Sequence, residues 1–178
     1  MKTLIHNTAV FALISSSVCL AAERIPNPLI DAQAFVRIVK ESQSPRQKNR
    51  LSEADFLKAM RSGEYVLLDA RSAANYALRH IEGAVNLPFT EFTAESLARV
   101  IPKPSSNILI YCNNNFQGSP VSFESKSPAA SLNLSTQVAL VTYGYKNIFE
   151  LGPLLDVEKT VLPFGGVEVS SRQQAVQR

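Results

Sequence analysis

Short apolar runs alternate with amphipathic stretches along most of the chain, and this alternation predicts strands that alternate with helices. The runs at residues 65–69 and 108–111 are almost wholly apolar, as is typical of strands buried on both faces of a sheet. Further strands are predicted at 84–86 and 147–151. Strands separated by helices favour an α/β fold in which a parallel sheet is covered by helices on both faces.

Capping residues predict where the helices begin and end. Asp31 is expected to begin a helix that runs to about residue 41, and the polar stretch 42–50 is expected to form a loop. Ser52 begins a capping motif for a second helix, which Gly63 ends. Later helices are predicted at 73–80, 94–100 and 134–143, and the segment 162–166 is expected to pack against the body of the domain.

The first 22 residues have the pattern of a secretory signal peptide, in which Lys2 precedes an apolar stretch and small residues at 21–22 offer a cleavage site. The stretch is short and rich in serine for a membrane span, so no stable membrane insertion is expected after cleavage; an uncleaved anchor is the alternative. We therefore expect an exported protein, periplasmic or secreted. The expected parts are a signal peptide at 1–22, an N-terminal extension with one helix at 23–50, one domain at 51–167 and a polar tail at 168–178.

Composition and charge argue against several classes of function. The chain has 178 residues, of which 46% are hydrophobic, enough for one domain with a substantial core. A net charge of +3 without a long basic run argues against nucleic acid as a partner. His80 is the only histidine outside the predicted leader, and there is no glycine-rich nucleotide loop, so neither a metal nor a cofactor is predicted.

Cys112 stands where the apolar run 108–111 gives way to a polar loop. The other cysteine, Cys19, lies in the predicted leader, so cleavage leaves Cys112 without an intramolecular disulfide partner. In an oxidising compartment such a thiol is expected to be either buried and inert or kept free for chemistry. A strand end in an open α/β sheet is a favoured place for a reactive group, so Cys112 is the candidate nucleophile.

Two parts of the chain resemble the rhodanese (sulfurtransferase) family. The segment VLLDAR at 66–71, followed by HIEGAVNLP at 80–88, resembles the first signature of the family. The strand that ends at Cys112 and the later segment 144–151 resemble the catalytic strand and the region after its loop. The resemblance covers 51–151 and implies a doubly wound, open sheet of five parallel strands with helices on both faces.

The resemblance also implies a reaction. In active members of the family, the cysteine at the position of Cys112 takes sulfane sulfur from a small donor and passes it to a thiol or cyanide acceptor. Asp69 and Arg71 are expected to form a structural pair that supports the site. His80 and Glu82 lie on the turn that borders the family's site, although His80 could equally be a structural hydrogen-bonding residue.

The loop after Cys112 departs from the family. Active rhodaneses have a short glycine-rich loop closed by arginine, whereas here an insert at 113–133 adds about fifteen residues. Between Cys112 and Leu134 the only cation is Lys126, so an anionic donor loses its usual bidentate partner in the loop.

The start of the insert is expected to form a neutral cradle for the donor, because asparagine amides both donate and accept hydrogen bonds. The expected substrate-binding residues are Asn113, Asn114, Asn115, Phe116, Gln117 and Gly118. The alternative is that the asparagines simply turn the chain. Aromatic residues in the insert favour a packed lid over Cys112 rather than a disordered tether.

Several functions remain open on this fold. The first is a sulfurtransferase that carries persulfide on Cys112. The second is a catalytically degenerate rhodanese-like module that binds a ligand or a protein partner through the 113–133 insert. A thiol redox role lacks a resolving cysteine, and a phosphatase role lacks the short anion loop with its closing arginine.

Overall fold

A computed structural model describes Ile25 and residues 27–169. The predicted signal peptide at 1–22 and the end of the polar tail at 170–178 lie outside these residues. The chain divides into a unit at 1–31 and a unit at 32–178. The described part of the first unit is a short turn, in which the Leu29 N–H donates a hydrogen bond to the Asn27 side chain.

The second unit alternates helices with short strands. Its helices are α1 (Ala32–Lys48), α2 (Glu53–Ser62), α3 (Ala73–Leu78), α4 (Ala94–Val100) and α5 (Leu132–Thr142). Its strands are β1 (Arg50–Leu51), β2 (Tyr65–Asp69), β3 (His80–Ile81), β4 (Val85–Asn86), β5 (Asn107–Tyr111), β6 (Phe116–Gln117), β7 (Asn147–Leu151), β8 (Leu155–Asp156) and β9 (Phe164–Gly165). Within the described residues no helix is long and apolar enough to cross a membrane.

The main sheet has five parallel strands in the order β1-β7-β5-β2-β4, which confirms the expected doubly wound α/β fold. The chain leaves β2 toward the β4 edge of the sheet and leaves β5 toward β7, on the other side. The direction of winding therefore reverses between β2 and β5. Two small pairs complete the fold, β3 antiparallel to β9 and β6 parallel to β8.

Alternate side chains of the central strands enter two separate cores, one on each face of the sheet. Leu67 and Leu109 pack with Phe56 of α2 on one face. Leu68 and Ile108 pack on the other face, together with buried residues of α4 and α5. Burial on both faces explains why β2 and β5 are almost continuously apolar.

The region 42–50 differs from its prediction as a loop. Helix α1 continues through Pro45, and β1 follows it as an edge strand parallel to β7. Tertiary contacts offset the backbone hydrogen bond that proline cannot donate, because Arg46 in the last turn of α1 forms an ion pair with Glu150 of β7. A two-residue strand has too few positions to show a hydrophobic period.

Most other elements lie close to their predicted positions. Helix α5 begins two residues before the predicted Leu134 start, and Gly144 follows its end with φ of 92°. The predicted helix at 73–80 is shorter, because His80 belongs to β3. The segment 162–166 packs against the domain as expected, through the pairing of β9 with β3.

Gly166 packs so closely against the end of α3 that no side chain would fit there. Its φ is 112°, and a Cβ atom built there would lie 2.5 Å from the Leu78 carbonyl oxygen. Gly83 has a φ of 82°, but a Cβ atom there would have no neighbour within 4 Å. A side chain at Gly83 would therefore cause backbone strain alone, whereas a side chain at Gly166 would cause both backbone strain and a steric clash.

We predict that Gly83→Ala lowers the free energy of unfolding by about 1–2 kcal/mol through backbone strain alone. Gly166→Ala should lower it by about 1–3 kcal/mol more, because the backbone of α3 must also move. Urea unfolding followed by circular dichroism measures both. Equal losses in the two variants would show that the contact with Leu78 is not tight.

Candidate active site

Cys112 directly follows β5, the central strand of the sheet, and precedes a short 3₁₀ turn at Asn113–Asn115. Its side chain is fully buried. The Asn115 backbone N–H donates to the Cys112 carbonyl oxygen at 3.2 Å and faces the sulfur in a capping arrangement, and the sulfur lies 3.4 Å from the Ser131 hydroxyl oxygen. The thiol is therefore surrounded by two polar groups that can donate to a sulfur anion.

Asn115 holds the turn that carries Cys112. Its Oδ1 accepts the Cys112 backbone N–H at 2.9 Å and the Asn133 side-chain amide at 3.1 Å. Its Nδ2 donates to the Leu151 carbonyl oxygen at 2.7 Å. One buried amide thus joins the end of β5 to the start of α5 and the end of β7. Asn115 positions Cys112.

Ser131 is the residue before α5, and its side chain makes no capping hydrogen bond to the helix. The hydroxyl instead faces the Cys112 sulfur. The first N–H groups of α5 carry partial positive charge, so the sulfur lies close to the positive end of an 11-residue helix. The sulfur therefore lies beside the Ser131 hydroxyl and near the amino end of α5.

Cys112 and Ser131 line a cavity of about 320 Å³, which we call the thiol cavity. Most of its lining residues belong to the 112–134 region, and the others come from residues 46–50 and 150–152. The charged and amide residues are Arg46, Arg50, Asn114, Asn115, Asn133 and Glu150.

Two arginines of the thiol cavity come from the segment 42–50 rather than from the loop after Cys112. Arg46 forms a bidentate ion pair with Glu150, with N–O distances of 2.6 and 2.7 Å. Arg50 donates to the Gly152 carbonyl oxygen at 2.7 Å and lies 3.9 Å from the Glu150 carboxylate. Two cations therefore face one carboxylate, and the Arg50 side chain is 38% exposed. The loop after Cys112 contains no arginine, as expected from the sequence. The thiol cavity nevertheless contains two arginines, because both come from outside that loop.

Asp69 and Arg71 form a buried ion pair at 2.5 Å beside the end of β2. Arg71 also donates to the carbonyl oxygens of Ser122 and Arg79, and the Tyr111 hydroxyl donates to Asp69 at 2.5 Å. Burial alone would lower the pKa of Arg71, but the hydrogen bond and the charge of Asp69 outweigh it and raise the pKa. Burial and the Asp69 charge also hold the pKa of Tyr111 well above its usual value. The cluster is structural.

The aromatic part of the insert covers this ion pair rather than Cys112. Phe123 is buried, and the Arg71 guanidinium carbon lies 4.4 Å from the centre of its ring. Phe116 packs against Phe123, with ring centres 4.5 Å apart. Ser119 and Ser122 both donate to the Glu168 carboxylate at 3.0 Å. The expected lid is a packed part of the domain, and its last residues reach the thiol.

The other predicted cradle residues have different positions. The Asn114 side chain exchanges two hydrogen bonds with the Lys126 backbone, at 2.8 and 3.1 Å, and lines the thiol cavity. Gln117 is exposed in β6, and Gly118 follows with φ of 89° against Val157. Asn113 lines a separate crevice, which Cys112, Asn114 and Asn115 do not line.

His80 and Glu82 do not line the thiol cavity. The His80 ring stacks on Tyr76, with centres 3.8 Å apart, and its Nδ1 lies 2.7 Å from the Tyr76 carbonyl oxygen. Glu82 is exposed beside a cavity that Arg79 and Phe164 also line. His80 lies in β3 and pairs with Gly165 of β9, and the Glu82 backbone N–H donates to the Pro163 carbonyl oxygen.

Five residues near the thiol were missed from sequence. They are Arg46, Arg50, Ser131, Asn133 and Glu150. A signal existed for Ser131, which precedes the predicted last helix as a potential cap. No sequence signal pointed to the two arginines, because they reach the thiol cavity only through the pairing of β1 with β7.

Comparisons with known proteins agree with this architecture. A family model described as a rhodanese-like domain matches residues 52–151. The rhodanese-like domain of the Alr3790 protein from Anabaena sp., solved by NMR, gives a TM-score of 0.50 at 17% identity, covering 68% of this chain and 82% of that one. A crystal structure of the Alr3790 protein gives 0.46 at 20% identity, with 70% and 99% covered. A rhodanese with anions from E. coli gives 0.40 at 22% identity, with 58% and 99% covered. No curated protein shows significant similarity to the chain.

The domain combines a five-stranded parallel sheet with a cysteine at the end of its central strand. The family match covers more than half of the chain. The chain therefore belongs to the rhodanese-like domain family, as its two signature segments indicated.

We predict that Asn115→Asp destabilises the domain by about 1–3 kcal/mol, because a carboxylate oxygen would replace the donor that faces the Leu151 carbonyl. Loosening of the turn should also speed the reaction of Cys112 with a disulfide reagent. Urea unfolding and thiol titration measure the two effects.

The matched control is Asn114→Asp, which removes a similar amide donor at a more exposed position. It should cost less than about 1 kcal/mol. Similar losses in both variants would contradict the role given to Asn115.

Proposed function

We propose that the protein is an exported sulfurtransferase that carries sulfane sulfur as a persulfide on Cys112. The observation that carries the proposal is the placement of the Cys112 sulfur at the thiol cavity, between the Asn115 N–H and the Ser131 hydroxyl. Export rests on the leader sequence, and membership of the family supports the type of reaction.

The reaction has two steps. The Cys112 thiolate attacks the terminal sulfur of a donor such as thiosulfate, so that a new S–S bond forms and sulfite leaves with the electron pair of the broken bond. A thiolate or cyanide acceptor then takes the outer sulfur and restores the Cys112 thiolate. No external oxidant or reductant is needed. In both steps the negative charge on sulfur lies beside the same two donors.

The cation that binds an anionic donor is Arg50. Arg46 is engaged by Glu150 through both carboxylate oxygens, whereas Arg50 is more exposed and only 3.9 Å from that carboxylate at its nearest approach. Its guanidinium can hold an oxyanion while the sulfur of the donor reaches toward Cys112. The family's loop arginine is thus replaced by one from β1.

Access to the sulfur requires a local movement. The Cys112 side chain has no exposed area although it borders the thiol cavity, and Ser131 stands next to the sulfur. We infer that a turn of the Ser131 side chain about its Cα–Cβ bond opens a path to the sulfur. Removal of the hydroxyl should therefore open the path, while also removing one donor to the persulfide.

We predict that the protein lacking residues 1–22, incubated with thiosulfate, a thiosulfonate or an organic persulfide, gains the mass of one sulfur atom. Cys112→Ser should abolish the gain, and because the side chain is fully buried it should also lower the free energy of unfolding by about 1–3 kcal/mol. Intact-mass spectrometry and urea unfolding are the measurements. Ser131→Ala should form the adduct but lose it faster.

No adduct with any of the three donors, combined with slow alkylation of Cys112, would contradict the proposal.

We also predict that Arg50→Met lowers the ratio of Cys112 alkylation rates for iodoacetate and iodoacetamide by about five- to tenfold, because these two reagents differ in charge but not in chemistry. The control is Arg61→Met, which removes an exposed arginine at the end of α2. An unchanged ratio in Arg50→Met would show that Arg50 does not attract anions to the thiol.

A further inference from the structure

A second and larger cavity, of about 670 Å³, lies at the carboxyl ends of β2, β4 and β5. We call it the switch-point crevice, because the direction of winding reverses between β2 and β5. In open α/β sheets this is the place where ligands bind most often. Ala70 and Arg71 follow β2 on one side of the crevice, and Asn113 follows β5 on the other. Cys112 does not line it, since its side chain borders the thiol cavity.

Asn113 is the unusual residue of this crevice. Its side chain is only 4% exposed, and among the described residues its Nδ2 has no hydrogen-bond partner. A buried amide donor without a partner is unfavourable and rare in folded proteins. Its neighbours Asn114 and Asn115, in contrast, use their side-chain amides within the domain. The Nδ2 of Asn113 therefore makes no hydrogen bond within the described part of the chain and is available to a ligand.

Charge in the crevice argues against an anionic ligand. Lys126 is paired with Glu124 at 2.5 Å, and Arg71 is committed to Asp69. Glu91 adds a further negative charge to the wall. The switch-point crevice thus offers no uncommitted cation within the described part of the chain, in contrast to the thiol cavity with its exposed Arg50.

The remaining groups match an uncharged amide. Asn75 and Thr90 line the crevice with neutral polar side chains, for which no hydrogen bond is present within the described part of the chain. Pro88, Phe89 and Leu132 add apolar surface. Amide side chains pair with both the carbonyl and the N–H of a peptide unit, and the apolar surface suits a neighbouring aliphatic side chain.

We propose that the switch-point crevice binds an uncharged peptide chain, with the Asn113 amide donating to a peptide carbonyl oxygen. Rotation of the amide about its Cβ–Cγ bond presents Nδ2 to the crevice that the side chain already lines. The proposal does not depend on sulfur transfer by Cys112. A bound peptide would lie on the opposite side of the turn from the thiol, one residue away from it.

The test is an NMR titration of the ¹⁵N-labelled protein with N-acetyl-leucine N′-methylamide, a blocked and uncharged peptide unit. The side-chain amide signals of Asn113 and Asn75 should shift together and saturate with one dissociation constant. Asn113→Ala should weaken this constant by about five- to tenfold without lowering the urea midpoint, because the side chain has no partner in the domain. The control Asn147→Ala removes an amide at the amino end of β7 and should leave affinity unchanged.

Three further probes distinguish the type of ligand. The same leucine flanked by glycines in a blocked tripeptide should bind more tightly than the single unit if the crevice takes a chain. Acetate and adenosine should not shift the Asn113 signal in a saturable way. Failure of the leucine probe to saturate, equal affinity in Asn113→Ala, no gain with the tripeptide, or saturable binding of acetate or adenosine would each overturn the proposal. None of these outcomes bears on persulfide formation, which is measured separately by mass.

Discussion

The buried ion pair between Asp69 and Arg71 connects the end of β2 to three other parts of the domain. A guanidinium withdrawn from water must have its N–H groups satisfied, and Arg71 finds the remaining acceptors in the carbonyl oxygens of Ser122 and Arg79. These contacts fix the insert on one side and the start of β3 on the other. Tyr111 brings the end of β5 into the same cluster through its hydrogen bond to Asp69. The long loop is therefore a packed part of the domain.

The turn after β5 separates two environments. Asn115 holds the turn through buried hydrogen bonds, so Cys112 and Asn113 have fixed positions. The sulfur of Cys112 borders a cavity with an exposed arginine, whereas the amide of Asn113 borders a crevice whose cations are already paired. Adjacent residues thus border cavities of different charge. The first environment suits sulfur transfer with an anionic donor, and the second suits an uncharged peptide.

Sequence patterns were sufficient where burial dictates composition. The apolar runs of β2 and β5 predicted the central strands, and the family signatures predicted the five-stranded sheet and the position of Cys112. Sequence patterns did not predict the structure where contacts between distant parts of the chain determine it. Helix α1 passes through Pro45 because Arg46 pairs with Glu150, more than a hundred residues away along the chain. The arginines of the thiol cavity were missed for the same reason, since only the pairing of β1 with β7 brings them to the thiol.

The central claim is that Cys112 both accepts and releases sulfane sulfur. The most direct measurement is a single turnover, in which protein loaded by a donor is freed of excess reagent and mixed with cyanide. We expect one thiocyanate for each persulfide that intact mass shows on Cys112, together with return of the protein to its original mass. An adduct that persists in cyanide, or thiocyanate formed equally by the Cys112→Ser protein, would contradict it.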